Sequence, residues 1–253
     1  MIITNLLTIL LMIIIPSIIV YICSKTDHRI KELIAEVFGV NYQIYFGFLG
    51  IIIHELSHLI VALLFGHHIT GVRLLMMPKN GVAGFVNHSY LKRSIIARLG
   101  NVFIGIAPVI GGSLSIYLIF EYVLDPNLQI NTIYHVLSAS NINSLIGVLK
   151  ANIGMFFSRN ALLWLMAILI IINITIGCFD LSDVDLSNTK IALIPMVIFL
   201  AILLLIAGYL GFSKTILTMT IFIAIKLISL FILPISIIII IYIFIFLIAY
   251  VRN

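Results

Sequence analysis

The sequence HELSH, residues 54–58, places two histidines and a glutamate inside a long apolar stretch. Residues four positions apart on a helix lie on one face, one turn from each other. His54 and His58 can therefore bind the same tetrahedral zinc ion, at about 2.0–2.1 Å. Glu55 can act as general base toward a water whose pKa zinc lowers to about 7. The spacing predicts a zinc-dependent hydrolase site, with Glu55 catalytic and both histidines as metal ligands.

The competing interpretation of this motif is two ordinary histidines and a glutamate on a solvated helix. The flanking sequence IIIHELSHLIVALL argues against it, because it predicts a membrane helix. An ionisable group deep in a bilayer costs at least ~2.5–3.5 kcal/mol on insertion scales. Three such groups in one apolar helix need a shared partner, and a metal ion supplies one.

A catalytic zinc site also needs a third protein ligand and an open fourth position. The stretch CFDLSDVDLSN follows a later apolar segment and offers Asp180, Asp183 and Asp185. If that segment crosses the membrane inward, these aspartates end at the depth of the histidines. The residues alone leave the choice open. At least one aspartate belongs to a solvated loop with helix caps, since Ser182 and Asp183 suit an N-cap.

Composition indicates what positions these residues. The chain has 253 residues, 63% hydrophobic and 9% charged, whereas about a quarter of the residues of a soluble domain are charged. We therefore expect an all-α polytopic membrane protein, one domain over residues 1–253, with about six transmembrane helices and a small β-hairpin. A spanning helix needs ~20 apolar residues. The predicted segments are 3–22, 42–65, 99–123, 161–178, 191–210 and one within 216–251.

Three features refine this helical scheme. Pro16 predicts a kink in the first segment, and the mixed-charge stretch Lys25 to Glu36 predicts an interfacial helix. The stretch 216–251 is too long for one crossing at 1.5 Å per residue. It is either one long tilted helix, spanning from near Lys226, or two pieces broken at Pro234.

The stretch 66–98 predicts a β-hairpin close to the membrane. Its halves ITGVRLLMM and GVAGFVNHS are joined by Pro-Lys-Asn-Gly at 78–81, and Asn-Gly is a strong hairpin signal. His88 lies in the second half. A polar loop at 125–160 is expected at the surface and partly helical. Asn173 is a polar group in an apolar run and needs a hydrogen-bond partner; it positions a substrate carbonyl or bonds a neighbouring helix.

Charge distribution bears on partners and orientation. The net charge is +5, but the Lys and Arg residues flank apolar segments and form no basic stripe, which excludes nucleic acid as a partner. The 66–98 loop holds five of them, against three in 25–36 and two in 125–160. The positive-inside rule places the hairpin loop and the N-terminus in the cytoplasm. We expect a multi-pass protein of the cell membrane.

Three features together resemble the site-2 protease family of intramembrane zinc metalloproteases. They are HELSH within a membrane helix, a hairpin directly after it, and a later segment that bears Asn173 and ends near an aspartate. The resemblance covers residues 42–188, and GFVNHSYLKRSIIARLGNVFIGIAPVIGG looks like a poorly characterised bacterial branch. The resemblance implies a zinc endopeptidase of the bacterial plasma membrane that hydrolyses membrane-embedded protein or peptide substrates. The first and last helices are not specific to the family.

One motif departs from the family pattern. LSDVDL stands where the family usually has an Asn-Pro-Asp-Gly or Leu-Asp-Gly motif. The Ser-x-x-Asp pattern of the bacterial branch matches Ser182 to Asp185, which implies Asp185 as third zinc ligand, ahead of Asp183 and Asp180. His88 is expected to have a structural or substrate-positioning role, ahead of metal binding.

A second function class competes with the protease. It is a non-catalytic membrane metal-binding protein or a metal-ion transporter that keeps the motif. A transporter needs ionisable residues along a whole path. The fifth segment has none, and the last apolar stretch has only Lys226. His67 and His68, which follow the catalytic helix, are expected at the interface.

Overall fold

The computed structural model combines helices with one two-stranded antiparallel sheet. The predicted hairpin turn at 78–81 and the polar loop at 125–160 lie outside the residues that it describes. Those residues are 2–39, 41–77, 82–91, 93–120, 122 and 161–252.

The length and apolar character of the helices indicate a membrane-embedded protein. Within the described residues, four helical stretches are long and apolar enough to cross a membrane. The predicted segments at 161–178 and 191–210 contain shorter apolar stretches, Leu162–Cys178 and Leu193–Tyr209. Four long candidate spans therefore stand where the sequence predicts six. They are Asn5–Phe38, Ile44–Leu64, Ile95–Ile119 and Leu230–Val251.

The N-terminal segment is one continuous helix. It consists of α1 (Ile2–Ile9), a π-helical turn (Leu10–Ile14) and α2 (Ile15–Phe38). The irregularity predicted at Pro16 takes the form of this π turn, because proline lacks the N–H that would close a normal turn. The mixed-charge stretch 25–36 is helical as expected. It continues the first segment, however, and is not a separate interfacial helix.

Helix α3 (Tyr42–Leu64) carries the HELSH motif and agrees with the predicted second segment. The chain then turns at Gly66, whose φ of 71° suits glycine. Strands β1 (His68–Arg73) and β2 (Phe85–Ser89) pair antiparallel, with an irregularity between Ile69 and Gly71. The predicted hairpin is confirmed, and its strands contact α3.

The remaining helices are α4 (Ile95–Ile119), α5 (Ala161–Cys178), α6 (Asp183–Tyr209) and α7 (Ser213–Arg252). Helix α6 begins eight residues before the predicted 191, because a capping box nucleates it early. Helix α7 continues through Pro234 without a break, so the single-helix alternative describes it.

Close packing of α3 on α5 determines where the end of α5 lies relative to His54. Three glycines, Gly47, Gly50 and Gly177, lie where these two helices meet. A Cβ atom on Gly50 would lie 2.6 Å from the Cα of Gly177, closer than real atoms approach. Small residues let membrane helices approach backbone to backbone. The end of α5 therefore lies directly against the face of α3 that carries His54.

Candidate metal centre

His54 and His58 lie on one face of α3, as the four-residue spacing predicts. Their Nε2 atoms are 3.1 Å apart, and both rings are buried. Two nitrogens that bind one tetrahedral zinc ion at about 2.0–2.1 Å are separated by about 3.3 Å. The observed separation is close to this value.

Backbone carbonyls hold both rings in the tautomer that metal binding requires. His54 Nδ1 lies 2.9 Å from the carbonyl oxygen of Cys178, and His58 Nδ1 lies 2.8 Å from that of Ile104. A carbonyl oxygen only accepts hydrogen bonds, so each Nδ1 donates. The lone pair of each neutral ring is then on Nε2, and the two lone pairs face each other. A cation between them relieves the repulsion, which is how metal-ligating histidines are oriented.

Asp185 completes the group. Its Oδ1 atom is 3.4 Å from His58 Nε2, and ligand atoms of His54, His58 and Asp185 lie within 4.8 Å of one another. Asp185 Oδ2 is committed elsewhere: it accepts from the backbone N–H and the hydroxyl of Ser182, at 3.0 and 2.6 Å. The capping box thus leaves one carboxylate oxygen directed at the histidines. These three residues could hold a metal ion.

The electrostatic surroundings favour the ionised form of Asp185. Burial raises the pKa of this carboxyl, but with a cation at the histidines, here a proton on His58 Nε2 in the position of a metal ion, the hydrogen bond and charge of His58, together with the Ser182 hydroxyl, outweigh burial. The pKa of Asp185 is therefore below its ordinary value. An ionised carboxylate is the form that ligates zinc.

The other two candidate aspartates lie elsewhere. Asp180 pairs with Lys31, at 3.3 Å from Oδ2 to Nζ, and with His28. Asp183 is exposed in the first turn of α6. Neither belongs to the group formed by His54, His58 and Asp185, so the structure brings Asp185 alone of the three to the histidines.

Glu55 opens onto a cavity of about 190 Å³ that His54 also lines. The hairpin closes one side of this cavity: a Cβ atom on Gly84 would lie 2.7 Å from Glu55 Cγ. A larger cavity of about 510 Å³ is lined by apolar residues and Thr220, without an ionisable group. Of these two cavities, the smaller one therefore contains the ionisable side chains that could take part in a reaction. Its lining includes Lys31, His54, Glu55, Gly84, Asp180 and Ser182.

Asn173 contacts the neighbouring helix. Its side-chain oxygen accepts a hydrogen bond of 2.8 Å from the backbone N–H of Leu49 in α3. Of the two roles expected for this amide, the structure contains the helix-bonding one. Asn173 thus fixes α5 against α3 about one and a half turns before His54.

His88 lies in β2, as predicted, and pairs with His67. His67 Nε2 donates to the carbonyl of Ala97 at 2.9 Å, and the two Nδ1 atoms are 2.9 Å apart. His67 is buried, because this pair joins the hairpin to α4. His68 is exposed. Burial, and then the neighbouring His67, lower the pKa of His88.

Several groups at the site carry no sequence signal. The carbonyls of Cys178 and Ile104 orient the histidines, yet any residue type has such a carbonyl. Lys31, more than twenty residues before HELSH, lines the same cavity as Glu55. Comparison of the chain with protein-family models, with curated proteins and with solved structures finds no match.

Proposed function

We propose that this chain is an intramembrane zinc endopeptidase of the site-2 protease type. The observation that carries the proposal is the meeting of His54, His58 and Asp185 in an apolar setting, with Glu55 adjacent. Two imidazoles and one carboxylate are a common ligand set of catalytic zinc, and they leave the fourth position open. The tautomers enforced by the Cys178 and Ile104 carbonyls also suit a metal.

Each residue of the site has a role in peptide hydrolysis. The zinc ion, when bound, lowers the pKa of water so that hydroxide is available near neutral pH. Glu55 accepts the proton of the attacking water and delivers it to the leaving amine as general acid. Cys178 and Ile104 keep both histidines oriented through their carbonyls, and Ser182 holds the Asp185 carboxylate in place.

The substrate class follows from the surroundings. The cavity beside Glu55 is bounded by the hairpin, α3 and the end of α5, so the scissile peptide enters next to membrane helices. A helical substrate has its carbonyls tied in hydrogen bonds, so local unwinding precedes attack. The proposed substrate is a membrane-embedded segment of another protein. The proposal includes six spans, a cytoplasmic hairpin and a cytoplasmic N-terminus.

Zinc content of the detergent-purified full chain tests the metal centre. We expect about one zinc ion per chain in the wild type and loss of that ion in His54→Ala and Asp185→Ala. Loss with His54→Ala alone would move the third ligand to Asp183 or Asp180. A wild type purified without chelators and free of zinc would refute the proposal.

Cleavage tests the enzyme. The probe is a pool of synthetic transmembrane peptides in liposomes that contain the protein, with new peptide ends identified by mass spectrometry. Glu55→Gln should abolish cleavage and keep zinc bound, because it removes the base and leaves the ligands. Cleavage that survives Glu55→Gln would refute the mechanism. Zinc transport into the liposomes without cleavage would favour the transporter.

A further inference from the structure

Of the polar face of α2, only Lys31 lines the cavity of the site. This face begins at Ser24 and continues three, four and seven residues later with Asp27, His28 and Lys31. Residues at these spacings lie on one side of a helix. Ser24 is 3% exposed and Asp27 is 0% exposed. Ionisable groups buried in a candidate membrane helix are expensive, so a function or a specific partner is expected for them.

Three of these residues contact one short segment, residues 179–182, which links α5 to α6. Ser24 Oγ accepts a hydrogen bond of 3.1 Å from the backbone N–H of Leu181. The Lys31 ammonium lies 3.3 Å from Asp180 Oδ2, and His28 Nδ1 lies 3.3 Å from Asp180 Oδ1. Side-chain contacts from α2 thus fix the middle of the segment.

Asp27 supports this arrangement from inside the fold. Its Oδ2 is 3.9 Å from the Lys31 ammonium. Among the described residues neither oxygen of this carboxyl completes a hydrogen bond, which leaves the ion pair with Lys31 as its polar contact. Lys31 is therefore held between Asp27 on its own helix and Asp180 on the segment.

The segment 179–182 connects two parts of the metal centre. Immediately before it, the Cys178 carbonyl accepts the hydrogen bond that orients His54. At its end, Ser182 caps α6 and holds Asp185. A movement of this segment would therefore displace the orienting group of one ligand and the carboxylate of another together.

We infer that Ser24, Asp27 and Lys31 of α2 are positioning residues of the metal centre, acting as a clamp on residues 179–182. This inference rests on the proposed zinc site and extends that site to the N-terminal helix. Lys31 also lines the cavity with Glu55 and His54, so the clamp lies within reach of a bound peptide. Loss of groups that orient metal ligands typically weakens metal affinity by about 10- to 100-fold.

Zinc affinity of the full chain in detergent, measured by competition with a chelator, tests the clamp. Lys31→Gln removes the charge that faces Asp180. Arg29→Gln is the matched control, since Arg29 is on the same helix, is 52% exposed and pairs with Glu32 instead. We expect about tenfold weaker zinc binding for Lys31→Gln and unchanged binding for Arg29→Gln. The visible spectrum of the Co²⁺-substituted protein should shift for Lys31→Gln and stay unchanged for Arg29→Gln.

Ser24→Ala keeps the test decisive if Lys31→Gln does not fold, because it removes one hydrogen bond without changing charge. It should also weaken zinc binding and shift the Co²⁺ spectrum. Wild-type zinc affinity and an unshifted spectrum in Ser24→Ala, and in Lys31→Gln where that variant folds, would overturn the clamp and leave the proposed protease intact. A wild type that binds no zinc would overturn both, and the wild-type measurement alone identifies that case.

Discussion

Gly84 lies where the hairpin meets the proposed general base, and Gly84→Ala tests whether that contact positions Glu55. The added Cβ would lie 2.7 Å from Glu55 Cγ and 3.1 Å from Glu55 Oε1. The carbonyl oxygen of Arg73 is also at 3.1 Å, and a backbone atom cannot yield as easily as a side chain. The flexible Glu55 side chain is the group expected to yield.

The size of the effect follows from these distances. An ordinary contact is at least about 3.4 Å, so relief of a 2.7 Å contact needs a displacement of about 0.7 Å. A misplacement of about 1 Å at a reacting group costs about 100-fold in rate. We therefore expect Gly84→Ala to slow cleavage by about 10- to 100-fold, or about 1.4 to 2.7 kcal/mol of barrier. Zinc content should remain about one per chain, because none of the ligands moves.

The assay compares initial rates on the transmembrane peptide that the wild type cleaves fastest, together with zinc content. Gly71→Ala is the matched control in the same hairpin. A Cβ there would find its nearest atom, Phe85 Cε2, at an ordinary 3.4 Å, so wild-type rates are expected. An unchanged rate in Gly84→Ala would refute the reasoning, since the hairpin would then not constrain Glu55. Loss of zinc would also refute it and place the effect on the ligands.

Three further changes test other parts of the site. Ser182→Ala removes the capping hydroxyl that donates a hydrogen bond of 2.6 Å to Asp185 Oδ2. This change should lower the free energy of unfolding by about 1 kcal/mol and weaken zinc binding in competition with a chelator. Wild-type values for both quantities would contradict the dual role of the cap. Gly50→Ala places a Cβ 2.6 Å from Gly177 Cα, so thermal unfolding in detergent should reveal a loss of about 1–3 kcal/mol; unchanged stability would exclude the close helix contact. His88→Gln should flatten the acid side of the stability profile. Folding lowers the pKa of His88, so the neutral ring's contribution to the free energy of unfolding is fully present above about pH 6.5, the pKa of the unfolded state. That contribution is lost as the pH drops below this value. An equally steep profile in the variant would contradict this.

The parts of the fold that depend on local pattern were predictable from sequence. HELSH in an apolar run predicts a helix with both histidines on one face, and the structure has their Nε2 atoms 3.1 Å apart. The hairpin after Gly66 also follows from turn chemistry, and the helix at 161–178 follows from a nearly continuous apolar run. In each case the deciding interactions are between residues close in the chain, so the sequence carries the signal.

The parts that depend on distant pairs were not predictable. Asp180 and Asp185 are the same residue type within one short stretch of sequence. They differ as candidate metal ligands because Asp180 pairs with Lys31 of α2, far away in the chain. The stretch 25–36 was expected to be interfacial because of its charges, whereas its buried face meets the segment before α6. The position of His67 just after the catalytic helix likewise gave no sign of its partner His88, which lies across the hairpin.

If the chain is a site-2 protease as proposed, the difference between LSDVDL and the motif of that family has a physical rationale in the cap of α6. Asp185 is the third residue after Ser182, where a carboxylate normally reaches back to the N-cap. A carboxylate has two oxygens, and here Oδ2 serves the cap while Oδ1 lies 3.4 Å from His58 Nε2. The start of the helix therefore fixes the rotation of the carboxylate before any metal arrives. A Ser-x-x-Asp pattern can in this way supply the positioning that a rigid turn with proline or glycine would otherwise supply.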